Sequence, residues 1–205
     1  MDKQKLLDII STESVINFKD IPEKLFNDIE VLNAIKNNFS ELFNQDEFMK
    51  LFYTHLKNEV NAIDEDDFMF LTESYQFDKE LLLKCNPDIW DWSDDALDHF
   101  KSIVKKHYSK DVEFILSGLK KSGCDSSFLI LADESLLKDE EVMLESVRAD
   151  VREGMNPCLL ADKSLLNSVD FLKKIITISN DYFDVIFMNE QIENEIKENL
   201  SSIIK

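Results

Sequence analysis

Glycine and proline are nearly missing from this chain, with three of each among 205 residues, where an average chain of that length carries about 25 of the two together. Hairpins and tight turns depend on glycine for positive φ and on proline for a preset φ, so their scarcity argues against a sheet protein and for helix. It also excludes phosphate-cradling and nucleophile-elbow loops, because Gly118, Gly123 and Gly154 are too sparse for GxGxxG, a Walker loop or GxSxG. Cysteine is equally thin: Cys85, Cys124 and Cys158 are odd in number and far apart, which excludes a disulfide framework or a CxxC zinc site and suits a reducing compartment. Positive charge is short as well. Lys and Arg total 23 against 42 Asp and Glu, a net charge of −19, so the phosphates of nucleic acid and an anionic membrane surface are not direct ligands. No apolar run approaches the roughly 20 residues needed to span a bilayer. The first residues, with Asp2 and Asp8 around a short apolar stretch, do not make a signal-peptide core. The sequence therefore reads as a soluble, cytoplasmic, all-α chain.

What is present is a repeat. A shift of 29 residues aligns 128–137 with 157–166, and Leu131, Ala132, Asp133, Ser135, Leu136 and Leu137 match Leu160, Ala161, Asp162, Ser164, Leu165 and Leu166. After each block comes a capping residue, an acid two positions later, and apolar residues at offsets three, four and often eight. The pattern reads Asp139, Glu141, Val142, Met143, Val147 in one copy and Ser168, Asp170, Phe171, Leu172, Ile176 in the next. Upstream, Asp111 with Glu113, Phe114, Ile115 and Leu119, Asp78 with Glu80, Leu81 and Leu82, and Asp28 with Glu30, Val31, Leu32 and Ile35 fit the same scheme. A degenerate copy is expected around Asp46–Met49. A short oxygen-bearing side chain at the anchor caps an orphan N–H at a helix start. The acid in the first turn suits the helix dipole, and the apolar offsets share one face. Each unit is thus expected to be a short helix, such as 128–134, followed by a longer one, such as 140–150, and units this small must stack to cover their apolar faces.

These strings, clearest at Leu131–Val147 and Leu160–Ile176 with partial copies at Lys110–Leu119 and Leu25–Ile35, resemble a bacterial tandem helical repeat, domain of unknown function 4116. Ala-Asp stands where that family tends to have Ala-Ser. The resemblance implies a tandem helical-hairpin architecture and brings no catalytic residues. The expected organisation is one helical-repeat domain over 1–205: an irregular part at 1–100, clearer repeats at 101–185, and a capping helix at 186–205. In that last helix Met188, Ile192, Ile196, Leu200 and Ile203 form the apolar stripe. At the other end Leu6, Leu7 and Ile10, then Val15, Ile16 and Phe18, suggest a first helix and a turn before Pro22.

Charge is concentrated. Between 61 and 100 stand twelve acidic and two basic residues, a net of −10. The run Asp64, Glu65, Asp66, Asp67 and the segment holding Asp88, Trp90, Asp91, Trp92, Asp94, Asp95 and Asp98 lie inside it, with both tryptophans of the chain. Aromatic anchors ringed by acids suit a basic protein surface, and these eleven residues are the candidate partner-binding set. The alternative is that the tryptophans belong to the core and the acids solvate a loop and a helix face. A calcium loop fits neither acidic stretch, since the sixth position is Met69 or Ser93 instead of glycine. No metal, cofactor or catalytic residue is expected. His55, His99 and His107 form no HExxH and read as surface histidines, the cysteines as packing groups, and Gly123 and Gly154 as helix C-caps. The one basic island, Lys101, Lys105, Lys106, Lys110, Lys120 and Lys121, is expected to neutralise the preceding acids within the fold.

The expected function is a non-enzymatic acidic module that binds a basic, nucleic-acid-handling protein, as an inhibitor or regulator resembling DNA mimics in charge, of phage or bacterial kind. The alternatives are an immunity protein against a basic toxin and a repeat scaffold or effector that binds through an apolar concave face.

Overall fold

A computed structural model describes residues 1–12, 21–26, 28–38, 46–58, 60, 62–85, 89–121, 126–150 and 156–204. Val15, Ile16, Phe18, Asp88, Gly123, Cys124 and Gly154 lie outside them. Every element among the described residues is helical, and the one β-type pairing is an isolated parallel bridge between Ile63 and Cys85. The chain divides into two compact units, Met1–Cys85 and Asn86–Lys205.

In the first unit α1 (Lys3–Thr12) packs on α2 (Ile29–Asn38), with Leu6 and Ile10 facing Val31, Leu32 and Ile35 as buried stripes. Lys3 ties the two together by reaching Asp28 at 2.8 Å and Glu30 at 2.6 Å. The expected degenerate copy is the start of a 13-residue helix, α3 (Asp46–Asn58), whose Phe48, Met49, Phe52 and Leu56 are buried. Three short helices follow: α4 (Glu65–Phe70), α5 (Glu73–Gln76) and α6 (Lys79–Leu82). In the second unit α7 (Asp94–His107) and α8 (Val112–Lys121) precede a pair of 3-10 turns, Ser126–Leu131 and Glu134–Lys138, and then α9 (Glu140–Ala149). A 3-10 turn at Pro157–Leu159 leads to α10 (Lys163–Leu166), α11 (Val169–Ile178), α12 (Tyr182–Met188) and α13 (Asn194–Ile204). The long helices contact one another in chain order, α8 on α9, α9 on α11 and α11 on α13.

All five anchors accept a backbone N–H at a helix start. Asp28 takes those of Glu30 and Val31, Asp78 that of Leu81, Asp111 that of Phe114, Asp139 those of Glu141 and Val142, and Ser168 that of Phe171. The apolar residues at offsets three and four are buried in every copy. In the last copy the third core contact is Ile175, at offset seven, while Ile176 is only half-buried.

Three expectations need correcting. The short helix of each repeat is two turns, because Asp133 and Asp162 interrupt it: each carboxylate accepts the N–H and hydroxyl of the serine two residues on, at 3.0 and 2.7 Å for Ser135 and 2.9 and 2.6 Å for Ser164. An Asx turn of this kind takes the backbone out of the helix and starts a new one. The helix placed at 186–205 is also two elements: Asn189 accepts the N–H of Gln191 and ends α12, so Met188 leaves the apolar stripe and stands 82% exposed. Finally, His55 is a core residue, 7% exposed, in α3.

The same aspartates join successive repeats. The N–H of Asp133 donates to the Ser109 carbonyl at 2.8 Å and that of Asp162 to the Leu137 carbonyl at 3.0 Å. Lys110 and Lys138 stand 3.8 and 3.9 Å from the respective carboxylates. The serine hydroxyls, with the serine N–H groups next and the lysines after them, hold both carboxyls below the usual carboxylate range. A carboxyl lowered in the folded state stabilises the fold above its unfolded value, near 4, and loses that contribution as pH falls through the folded value. Thermal midpoints measured from pH 5 to pH 3 should therefore fall, and the Asp133→Asn, Asp162→Asn double variant should show a shallower fall. Equal slopes for the two proteins would mean that neither carboxyl is held by its turn.

Candidate protein-binding surface

The second acidic segment, which holds both tryptophans, folds into a 3-10 turn at Ile89–Asp91, a bend at Trp92, and the start of α7. Ser93 caps the helix by accepting the Ala96 N–H at 3.4 Å. Ala96, Phe100, Ile103 and Val104 face inward. This turns Asp94, Asp95 and Asp98 outward, and Asp91 in the preceding turn is exposed with them. On a helix Asp94, Asp95 and Asp98 fall within about 100° of arc, so three carboxylates share one ridge. Its charge is accommodated at the helix N-terminus, and the opposite end carries Lys105, Lys106 and His107 in its last turn. Acids first and bases last is the order that the helix dipole favours.

The two tryptophans separate in role. Trp92 is a core side chain, 9% exposed, with its ring edge-on to Phe100 at 5.9 Å, which removes it from any docking face. Trp90 is half-buried and carries Lys101 over its ring at 5.5 Å. The same ammonium lies 3.7 Å from Asp98, whose side chain is 79% exposed. Neutralisation of the acids by the basic island thus reaches this ridge at Asp98 through Lys101, while Lys110 serves Asp133 instead.

The run Asp64–Asp67 belongs to the first unit and is largely used by its own fold. Asp64 caps α4 by accepting the Asp67 N–H at 2.8 Å. Asp67 is ion-paired with Lys36, which also sits over the rings of Phe70 and Phe52 at 5.2 and 5.7 Å. Glu65 is half-buried and Asp66 exposed.

Sequence reasoning missed two polar clusters. Asp78, beyond capping α6, accepts the Tyr53 hydroxyl at 2.8 Å and the Lys57 ammonium at 3.0 Å, which joins α3 to α6. Lys57 is pushed up by its bonds to Glu80 and then Asp78, and Tyr53 is pushed up chiefly by burial. Just past α9, Asp150 accepts the Tyr182 hydroxyl, with Ser126 Oγ at 3.5 Å. Burial first, and Asp150 second, push the Cys158 thiol up to about 12, so it is a packed, unreactive group. Cys85 is buried, and burial pushes its thiol up as well. The partners in these clusters lie 21 to 32 residues apart, and no local motif marks them.

An open groove of about 490 Å³ runs beside α9 and α11, lined by Leu144, Arg148, Asp170, Lys173, Lys174 and Ile178 among others. Its cations already hold partners: Arg148 with Glu145, Lys173 with Asp170 and Lys174 with Glu140. Among the described residues no three His, Cys, Asp or Glu side chains are grouped to hold a metal ion, and no helix is long and apolar enough to cross a membrane. No family model, curated protein or solved structure matches the chain.

Proposed function

We propose that this protein is a non-enzymatic, acidic protein-binding module that docks on the basic surface of a nucleic-acid-handling protein and acts there as an inhibitor or regulator. The observation that carries this reading is the ridge of Asp94, Asp95 and Asp98 at the start of α7, with Asp91 exposed in the preceding turn beside Trp90, in a chain with a net charge of −19. Fixed on a rigid helix, such a ridge steers a basic partner by its field and sets register by its charges. Trp90 supplies the aromatic edge that interface centres favour. Trp90 and these four acids are the docking set of this reading, and Asp64 and Asp66 are exposed on the first unit. The capped, serially packed units further support reading the array as a short stack of tandem helical repeats, of the kind that the unknown-function family suggests.

Affinity capture from the native cell followed by mass spectrometry tests the reading. The expected outcome is a basic nucleic-acid-handling protein, released by about 0.5 M salt. The quadruple variant Asp91→Lys, Asp94→Lys, Asp95→Lys, Asp98→Lys should slow its association on the order of tenfold or more. The quadruple Asn variant, which keeps side-chain size, should show a smaller effect. A complex that resists salt and is untouched by charge reversal would sink the idea.

A further inference from the structure

Large apolar side chains that stand exposed are not scattered in this protein. Of the six among the described residues, Met69, Ile130 and Leu159 occupy one place in the repeat, at the end of the turn or helix that leads into the interrupting Asx or Thr residue, and Met188 stands at the end of α12. Met69, Ile130 and Leu159 each lie three residues before it, at Thr72, Asp133 and Asp162, and each follows a buried residue, Phe68, Leu129 or Cys158. Met188 closes α12 directly before Asn189. In the second unit the spacing is 29 residues, from Ile130 to Leu159 to Met188, and exposure rises from 41% to 62% to 82%. Single exposed apolar residues are ordinary, whereas an exposed apolar residue recurring at one register of serially packed repeats builds a row on one edge of the array.

We propose that Ile130, Leu159 and Met188 form an apolar ladder that receives a basic amphipathic segment of a partner protein; this deepens the acidic-module reading and rests on it. Charge decides the occupant. Residues 126–205, which carry the ladder, hold 16 acidic and 8 basic side chains, a net of −8. A second copy would bring the same negative field against itself, and an anionic lipid surface would be repelled. A cationic segment with apolar residues along one face gains from both the field and the ladder, and so takes up a binding mode in which an amphipathic helix lays its apolar side on a receptive surface.

The test uses the full chain and a fluorescein-labelled 18-residue Leu/Lys peptide with its leucines at helical spacing, read by fluorescence anisotropy. The triple variant Ile130→Ser, Leu159→Ser, Met188→Ser should weaken binding at least tenfold, and the apolar variant Ile130→Leu, Leu159→Met, Met188→Leu should restore it. The same peptide with serine for leucine should bind weakly and alike to all three proteins. These positions are exposed, so the far-UV circular dichroism of the serine variant should be unchanged; should it fail to fold, Leu159→Ser alone should weaken binding measurably. Undiminished binding by the serine variant, with loss in the α7 quadruple Asn variant, overturns the ladder and leaves the acidic ridge standing. No binding to the unaltered protein overturns the ladder. A dimer, or binding to zwitterionic vesicles, that is abolished by the serine substitutions overturns the choice of occupant.

Discussion

Replacing Phe114 by alanine should lower the stability of the second unit by about 3–5 kcal/mol, the usual cost of emptying a phenylalanine site in a packed core. Phe114 is fully buried in α8, stacked on Tyr108 at 4.9 Å and tilted against Phe128 at 5.8 Å. Three elements meet on this ring: the end of α7, the start of α8, and the 3-10 turn at Ser126–Leu131. Aromatic pairs of this kind add about 0.5–1.5 kcal/mol beyond the area that they bury. Domains of this size are stable by only ~5–15 kcal/mol, so the loss is a large fraction of the total. Urea denaturation followed by tryptophan fluorescence measures it cleanly, because Trp90 and Trp92 both belong to the second unit. A midpoint shift equivalent to less than about 1 kcal/mol would show that the three rings are not packed together.

Gly118→Ala should destabilise the same unit by roughly 1–3 kcal/mol, the range for overpacking a core. The sign is the opposite of what helix propensity alone gives, since alanine in a helix interior is favoured over glycine by about 1 kcal/mol. Gly118 is buried in the second turn of α8, and a Cβ there would stand 2.0 Å from Cε1 of Phe128 and 2.4 Å from two more atoms of that ring. The ring has little room to withdraw, being 7% exposed and held against Phe114. The double variant Gly118→Ala, Phe128→Leu should recover part of the loss, and the recovery beyond additivity measures the clash. Stabilisation by Gly118→Ala alone would mean that propensity outweighs contact at this position.

The helical class, the anchors and the core faces were legible because each is a local property. A capping oxygen, an acid in the first turn and apolar residues at offsets three and four need only the geometry of one helix, and Asp28, Asp78, Asp111, Asp139 and Ser168 all cap as read. Where reading failed, a side chain competed with the helix. Asp133 and Asp162 lie inside apolar strings that suggest a continuous short helix, and their bonds to Ser135 and Ser164 divide it. A break also falls at Thr72, before α5, where the hydroxyls of Thr72 and Ser74 stand 3.2 Å apart and the Thr72 side chain accepts no cap N–H. In that copy Thr replaces Asp and Gln76 takes the place of a core leucine, so the pattern is blurred in the sequence.

The candidate surface was half legible. Composition places the acids, and periodicity puts Asp94, Asp95 and Asp98 on one ridge, but burial separates Trp92 from Trp90 and the α4 cap and the Lys36 pair absorb Asp64 and Asp67. Ile130 and Leu159 fall at equivalent positions of the 29-residue alignment, whereas Met188 continues the spacing of Ile192, Ile196 and Leu200 until the turn at Asn189 ends the helix.

By itself, then, the sequence determined an all-α chain of capped units with a concentrated negative charge, because capping, dipole and amphipathicity act within a few residues of one another. Tertiary structure decided which of those residues remain exposed. It packed Trp92 against Phe100, paired Asp67 with Lys36, and left Asp91, Asp94, Asp95, Ile130, Leu159 and Met188 facing out. Exposure depends on which elements pack together, and those contacts join residues far apart in the chain.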